Sequence, residues 1–222
     1  MAEQVHRIRC PSCGAEQDAR LIDEIDVSRR PELRDALMAN GVNRVACPSC
    51  GFSFRVDVDL LYRDPARGFA IRWTPAGKDG AAGAERSFVE RRDAAAAAVG
   101  AEGPVAAHLV LTRVELVERI FLLEAGLDER VIEYVKHLIY SNNAKALDPA
   151  SRILLFNAQD STPENLCFVV QDASDGRFLS VLHYRRAAYE ALREMFDDDG
   201  QTPNLMELFP GPYVSARRLL AG

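Results

Sequence analysis

Hydrophobic and polar residues alternate most regularly between Phe52 and Tyr62, where Phe52, Phe54, Val56, Val58, Leu60 and Tyr62 are separated by Ser53, Arg55, Asp57, Asp59 and Leu61. A period of two puts the first set on one side of an extended chain. Turn chemistry follows in Asp64-Pro65-Ala66-Arg67-Gly68, and Phe69, Ile71 and Trp73 resume the alternation. This predicts a β-hairpin whose one apolar face needs a cover. Upstream, Val5 and Ile8 predict a short strand over residues 4–10. Ala19, Leu21, Ile25 and Val27, set against Asp18, Arg20, Glu24 and Asp26, predict another. Pro31 stands where a first helical turn accepts proline, Leu33 and Leu37 share a face, and Gly41 ends the run, which predicts a short helix over about 31–39.

From Thr74 to Ala107 the pattern gives way to alanine and glycine, with Gly77, Gly80 and Gly83 at its start. This reads as a connector, although the alanine-rich part of Glu85 to Val99 is able to hold a helix. Val105 to Leu111 predicts a strand. Thr112-x-x-Glu115 is a capping-box signature before Val114, Val117, Ile120 and Phe121 at helical spacing. Asp128 opens a second helix with Val131, Ile132, Val135, Leu138 and Ile139 along one stripe. Arg152–Phe156, Leu166–Gln171 and Phe178–Leu182 predict three strands. A helix over about 183–196 follows, with Ala188, Leu192 and Met195 or Phe196 on its buried side. The expected fold is α+β: a zinc-ribbon-like antiparallel β module with an inserted short helix over 1–75, an Ala/Gly-rich linker over 76–104, and an α+β module over 105–222 made of a helix pair, a three-stranded meander and a helix.

Two copies of one pentapeptide give the first module its chemistry: Cys10-Pro11-Ser12-Cys13-Gly14 and Cys47-Pro48-Ser49-Cys50-Gly51. A Cys-x-x-Cys hook turns both sulfurs inward. Proline presets φ for the turn, and the closing glycine accepts the positive φ that brings backbone N–H groups toward sulfur. One hook alone also fits a redox dithiol. Two identical hooks, each feeding extended chain, supply Cys10, Cys13, Cys47 and Cys50 as the four thiolates of a closed tetrahedral Zn2+ site with no position left for water, so the zinc is expected to be structural. The 33 residues between Cys13 and Cys47 exceed what a simple ribbon needs, and the predicted strand and helix account for them as an insertion. Cys167, in an apolar stretch, reads as a buried small hydrophobe.

With both Cys-Pro-x-Cys motifs intact, the chain resembles the CpXC family, bacterial and archaeal proteins named for those motifs. Pro31-Glu32-Leu33-Arg34 and Leu61-Tyr62-Arg63-Asp64 are similar to that family's pattern across residues 7–75. Leu116 to Ile120 and Ala125 to Glu133 resemble the region that follows in longer members. The resemblance implies metal binding and carries over no catalytic residue.

Charge narrows the functional classes. The formal net charge is −6, and four thiolates around one zinc ion make it more negative still, the opposite of the usual nucleic-acid binder. Residues 1–75 hold 11 basic and 11 acidic side chains, so no basic domain is present. His6, His108, His137 and His183 lack partner spacing and read as surface or packing residues. Asp197-Asp198-Asp199-Gly200 lacks the alternating ligands of a calcium loop. No phosphate loop, nucleophile elbow or dinucleotide fingerprint occurs, so no catalytic residue is expected. No apolar run reaches membrane length and Met1 to Arg9 carries no leader pattern, which predicts a cytoplasmic protein with no membrane partner. The expected role is a zinc-stapled protein-interaction or scaffold module. The alternatives are a transcription-associated nucleic-acid binder and a thiol redox sensor that releases zinc on oxidation.

Overall fold

In the computed structural model, which describes residues 3–75, 80–97, 107–197 and 204–221, the chain is an α+β protein of two compact units, Met1–Val117 and Glu118–Gly222. The first unit opens with an antiparallel hairpin of β1 (Glu3–Arg9) and β2 (Glu16–Ile22), in which Arg9 lies opposite Glu16. Next come β3 (Glu24–Asp26), helix α1 (Pro31–Met38) and a second hairpin of β4 (Arg44–Ala46) and β5 (Ser53–Arg55), in which Ala46 lies opposite Ser53. Helix α1 has proline in its first turn and buries Leu33 and Leu37, as its spacing predicts.

The chain then enters β6 (Leu60–Asp64) and β7 (Phe69–Trp73), passes through helix α2 (Gly80–Ala97) and returns in β8 (His108–Val110). These strands form a sheet in the order β3-β6-β7-β8. The hairpin β6–β7 is antiparallel, and each of its strands has a parallel neighbour, β3 beside β6 and β8 beside β7.

Three expectations are corrected here. The alternating run from Phe52 to Tyr62 is not one strand: residues 53–55 pair with β4, residues 60–64 join the other sheet, and the chain between them forms no ladder. A period of two marks extended chain without saying which partner it finds, and β4 is only three residues long. Nor is the hairpin apolar on one face only, because Leu61 and Ala70 are buried along with Leu60, Ile71 and Trp73. Parallel neighbours are joined by crossover connections, and these lay helices such as α2, between β7 and β8, over a face of the sheet. The stretch read as a connector contains α2, whose Ala84 and Phe88 are buried. The predicted strand from Val105 has its first two residues outside the described ones.

Helix α3 (Arg113–Glu124) leads into the second unit and starts with the predicted capping box: the Glu115 N–H donates to Thr112 Oγ1 (3.2 Å) and the Thr112 N–H to Glu115 Oε2 (3.0 Å). Its buried apolar residues are Leu116, Ile120 and Leu122, while Val114 is exposed. Helix α4 (Glu129–Asn142) is capped by Asp128, whose carboxylate accepts from the Arg130 and Val131 N–H groups. The predicted meander follows as β9 (Arg152–Asn157), β10 (Asn165–Asp172) and β11 (Phe178–Arg185), ordered β11-β10-β9.

Helix α5 (Arg186–Asp197) starts three residues later than predicted and buries Tyr189, whereas Met195 is exposed. Tyr189 is inside because its hydroxyl accepts from the Asp128 N–H (2.8 Å), a polar need that an apolar stripe does not announce. Short helices α6 (Leu205–Leu208) and α7 (Ala216–Ala221) close the chain. The core joins Leu122, Leu127, Val131, Ile132 and Val135 to Phe156, Leu166, Phe168 and Tyr189. Of the predicted acidic loop, residues 198–200 lie outside the described ones.

Five charged side chains are buried between α3 and α4: Glu118, Arg119, Glu129, Glu133 and Lys136. Lys136 Nζ lies 2.6 Å from both Glu118 Oε1 and Glu133 Oε1. Glu118 also accepts from the Phe156 N–H, and Glu133 Oε2 accepts from the Ala216 N–H at 2.7 Å. Arg119 pairs with Glu129 and donates to the Val214 carbonyl. Burial alone would drive the Lys136 ammonium to lose its proton, but the two carboxylates outweigh it and hold its pKa above the ordinary lysine value. Burial pushes the Glu118 carboxyl up, against the pull of Lys136. The network fixes β9 and the C-terminal segment to the helix pair through hydrogen bonds to their backbone.

Candidate metal centre

Each cysteine hook forms the turn of a hairpin, the first between β1 and β2 and the second between β4 and β5. The two turns repeat the same bonds. The Cys10 N–H donates to the Ala15 carbonyl (2.9 Å) and the Gly14 N–H to the Cys10 carbonyl (2.9 Å). The Cys47 N–H donates to the Phe52 carbonyl (2.9 Å) and the Gly51 N–H to the Cys47 carbonyl (2.8 Å). Gly14 and Gly51 have φ of 74° and 72°. A Cβ at either glycine would meet nothing within 4 Å, so it is the left-handed backbone rather than space that calls for glycine.

The hairpins bring the sulfurs together across 34 and 40 residues of sequence: Cys13 Sγ lies 3.7 Å from Cys47 Sγ, and Cys10 Sγ lies 3.8 Å from Cys50 Sγ. All four sulfurs fall within 4.8 Å of one another, the one group of potential metal ligands among the described residues. A tetrahedron with metal–sulfur bonds of about 2.3 Å has edges of about 3.8 Å. The cross-hook distances match that edge and exceed a disulfide bond by far, and all five cysteines are free thiols. Cys10 and Cys47 are buried, whereas Cys13 and Cys50 face outward.

Without a cation two of the thiols shift in opposite directions. Burial raises Cys47, but N–H groups of Cys50 and Ser49 and the neighbouring thiols outweigh it and bring its pKa down to about 6. The Ala15 N–H lowers Cys13, but hydrogen bonding to Cys50, burial and contact with Cys47 and Cys10 push it up to about 12. One hook sulfur is thus ready as a thiolate near neutral pH while another holds its proton, and a divalent cation bound by both would displace that proton.

One contributor carries no motif. Asn43, buried and at φ 58°, accepts from the Ile22 N–H through Oδ1 (2.7 Å) and donates to the Ile22 carbonyl through Nδ2 (2.9 Å). It ties the end of β2 to the approach of β4, and so sets one hook's hairpin against the other. An Asn before a strand is a signal only of a left-handed turn residue. The remaining candidates stay apart from the cluster. His6 lies in β1, His108 in β8, and His183 is exposed on β11. The His137 ring stacks on Tyr134 with centroids 5.9 Å apart, and Cys167 is buried in β10.

A family model described as CpXC protein matches residues 8–136. The chain belongs to the CpXC family. No curated protein and no solved structure matches it. The CpXC match takes in both hooks, α1, the four-stranded sheet and α3, and it ends at Lys136, the centre of the buried charge network. No described helix is long and apolar enough to cross a membrane.

Proposed function

We propose that this CpXC protein holds one structural zinc ion through Cys10, Cys13, Cys47 and Cys50 and works by binding another protein in a reducing, cytoplasmic compartment. The observation that supports this reading is the sulfur cluster, whose cross-hook distances of 3.7 and 3.8 Å suit a tetrahedral four-thiolate ion. Four protein ligands leave no position for a substrate or a water nucleophile, so the ion's contribution is folding free energy, on the order of 10 kcal/mol for small zinc modules. Beside the second hook, Phe52 is exposed and its ring stacks on that of Phe54 with centroids 6.3 Å apart. That pair is an apolar surface held in place by the staple.

A nucleic-acid role has less support. Several arginines of the first unit are already paired with carboxylates, among them Arg7 with Glu16, Arg55 with Asp57 and Arg63 with Glu24. The outward-facing Cys13 and Cys50 favour a redox sensor as the second reading. A zinc competition titration is expected to give one tightly held ion per chain, with affinity falling as pH falls because protons compete for the thiolates. In the same preparation, random DNA and RNA should show no binding at low salt, and dilute peroxide should leave the zinc in place. Salt-dependent nucleic-acid affinity would replace the protein-binding reading with a nucleic-acid one, and prompt zinc loss in peroxide would replace it with the redox sensor.

A further inference from the structure

The four-stranded sheet of the first unit has two unlike faces. On one, Ile25, Tyr62 and Ile71 lie side by side, with Leu60 and Trp73 in the next row, all buried. On the other, Glu24, Leu61, Arg72 and Leu109 form one row and Asp26, Arg63 and Ala70 the next. Three arginines meet there, Arg63 from β6, Arg72 from β7 and Arg91 from α2, with Glu24 and Asp59 as the acids acting on Arg72. Both acids are engaged. Glu24 pairs with Arg63 at 3.1 Å, and Asp59 pairs with Arg91 at 3.1 Å while accepting from Thr74 Oγ1 at 2.7 Å.

Arg72 is the cation left over. It is half-buried, and no hydrogen bond or ion pair of its side chain occurs among the described residues. None of its nitrogens is sealed from solvent without a partner. Burial lowers its pKa, and the neighbouring Arg91 adds to that. A desolvated guanidinium beside two like charges costs folding stability, whereas an oxyanion offered to its open fork would accept two charge-assisted hydrogen bonds. Three guanidinium groups against two carboxylates leave a local excess of one positive charge. This suits a single small anion rather than a polyanion, and the whole chain's charge of −6 opposes a polymer further.

We propose that Arg72, flanked by Arg63 and Arg91, forms a binding site for a small oxyanion, a phosphate or phosphomonoester group, on this face of the sheet. The test uses the zinc-loaded full chain, with thermal unfolding and isothermal titration against sodium phosphate and glycerol 2-phosphate, and sodium chloride at matched ionic strength. Phosphate and the monoester should raise Tm, and chloride should not. Arg72→Met should melt at or above the wild-type temperature without phosphate, because it removes an unpaired half-buried cation, and should lose the phosphate response. Arg72→Lys, which keeps the charge and loses the fork, should fold and bind phosphate about tenfold more weakly. A surface control, Arg193→Met, should respond as the wild type does. The proposal is overturned if phosphate gives no shift beyond chloride, or if Arg72→Met or Arg72→Lys responds like wild type. It is overturned equally if Arg72→Met fails to fold, which would make Arg72 a structural cation, or if a single-stranded oligonucleotide binds this face more tightly than the monoester.

Discussion

Cys50→Ser is expected to abolish stoichiometric zinc and to unfold the two hook-bearing hairpins. Neither hairpin has a core of its own: β4 and β5 are three residues each, and β1 carries an exposed Val5. Isolated two-stranded hairpins are marginal in water, so the order of both turns rests on the cross-hook ligands and on the Asn43 bridge to Ile22. Removing one of four thiolates takes away much of a binding free energy on the order of 10 kcal/mol, as large as the whole stability of a typical domain. Metal analysis with amide NMR of residues 3–22 and 44–55 reads the effect. Cys167→Ser is the control, since that thiol is buried in β10 and outside the cluster. It should keep one zinc per chain. A Cys50→Ser protein with native amide shifts and no metal would end the structural role.

Lys136→Met is expected to destabilise the protein by about 3–5 kcal/mol, the usual cost of leaving buried charge without its partner. Two carboxylates, Glu118 and Glu133, would then face each other with no cation between them. The pH dependence has a definite sign. Burial already raises the Glu118 pKa above its unfolded value, and loss of Lys136 raises it further. The folded state then binds a proton that the unfolded state gives up. The variant's stability is therefore greatest below the unfolded carboxylate pKa and declines as pH rises toward the raised folded pKa. In the wild type the Lys136 pKa is raised, so the stabilisation it brings is present below the unfolded lysine pKa and is lost only as alkaline pH passes the folded value. Urea denaturation across mildly acidic to mildly alkaline pH should show the gap between variant and wild type narrowing as pH falls. A gap that widens toward acid would contradict the assignment of Lys136 as the counter-ion.

The parts of the fold legible from sequence are those governed by short-range rules. The hooks could be read because their chemistry needs two sulfurs at a fixed local spacing and a glycine at positive φ, both carried by Cys10–Gly14 and Cys47–Gly51. Helix α1, the capping box at Thr112 and the Asp128 cap were legible for the same reason. What escaped depends on partners distant in sequence. Phe52 to Tyr62 alternates through two sheets, and only the shortness of β4 and the arrival of β3 beside β6 divide it. Ala84 and Phe88 anchor α2 in the core, in a stretch whose composition speaks of a connector.

Glu118 and Lys136 carried a visible signal, since each shares a helical face with apolar neighbours and a charge there asks for a buried partner. Their mutual contact, and the backbone groups of Phe156 and Ala216 that complete it, come from tertiary structure. Asn43 signals only a left-handed turn residue, and Arg72 gave no signal of its role. One is distinguished by a clamp 21 residues back in the chain, the other by the prior engagement of every acid around it.

The central claim is that four cysteine sulfurs, drawn from two identical hairpin turns, enclose one zinc ion. X-ray absorption at the zinc edge of the purified full chain tests it most directly. The expected result is one zinc per chain surrounded by four sulfur scatterers at about 2.3 Å. A spectrum showing nitrogen or oxygen in the first shell, or a preparation that holds no zinc while its hairpins stay folded, would contradict it.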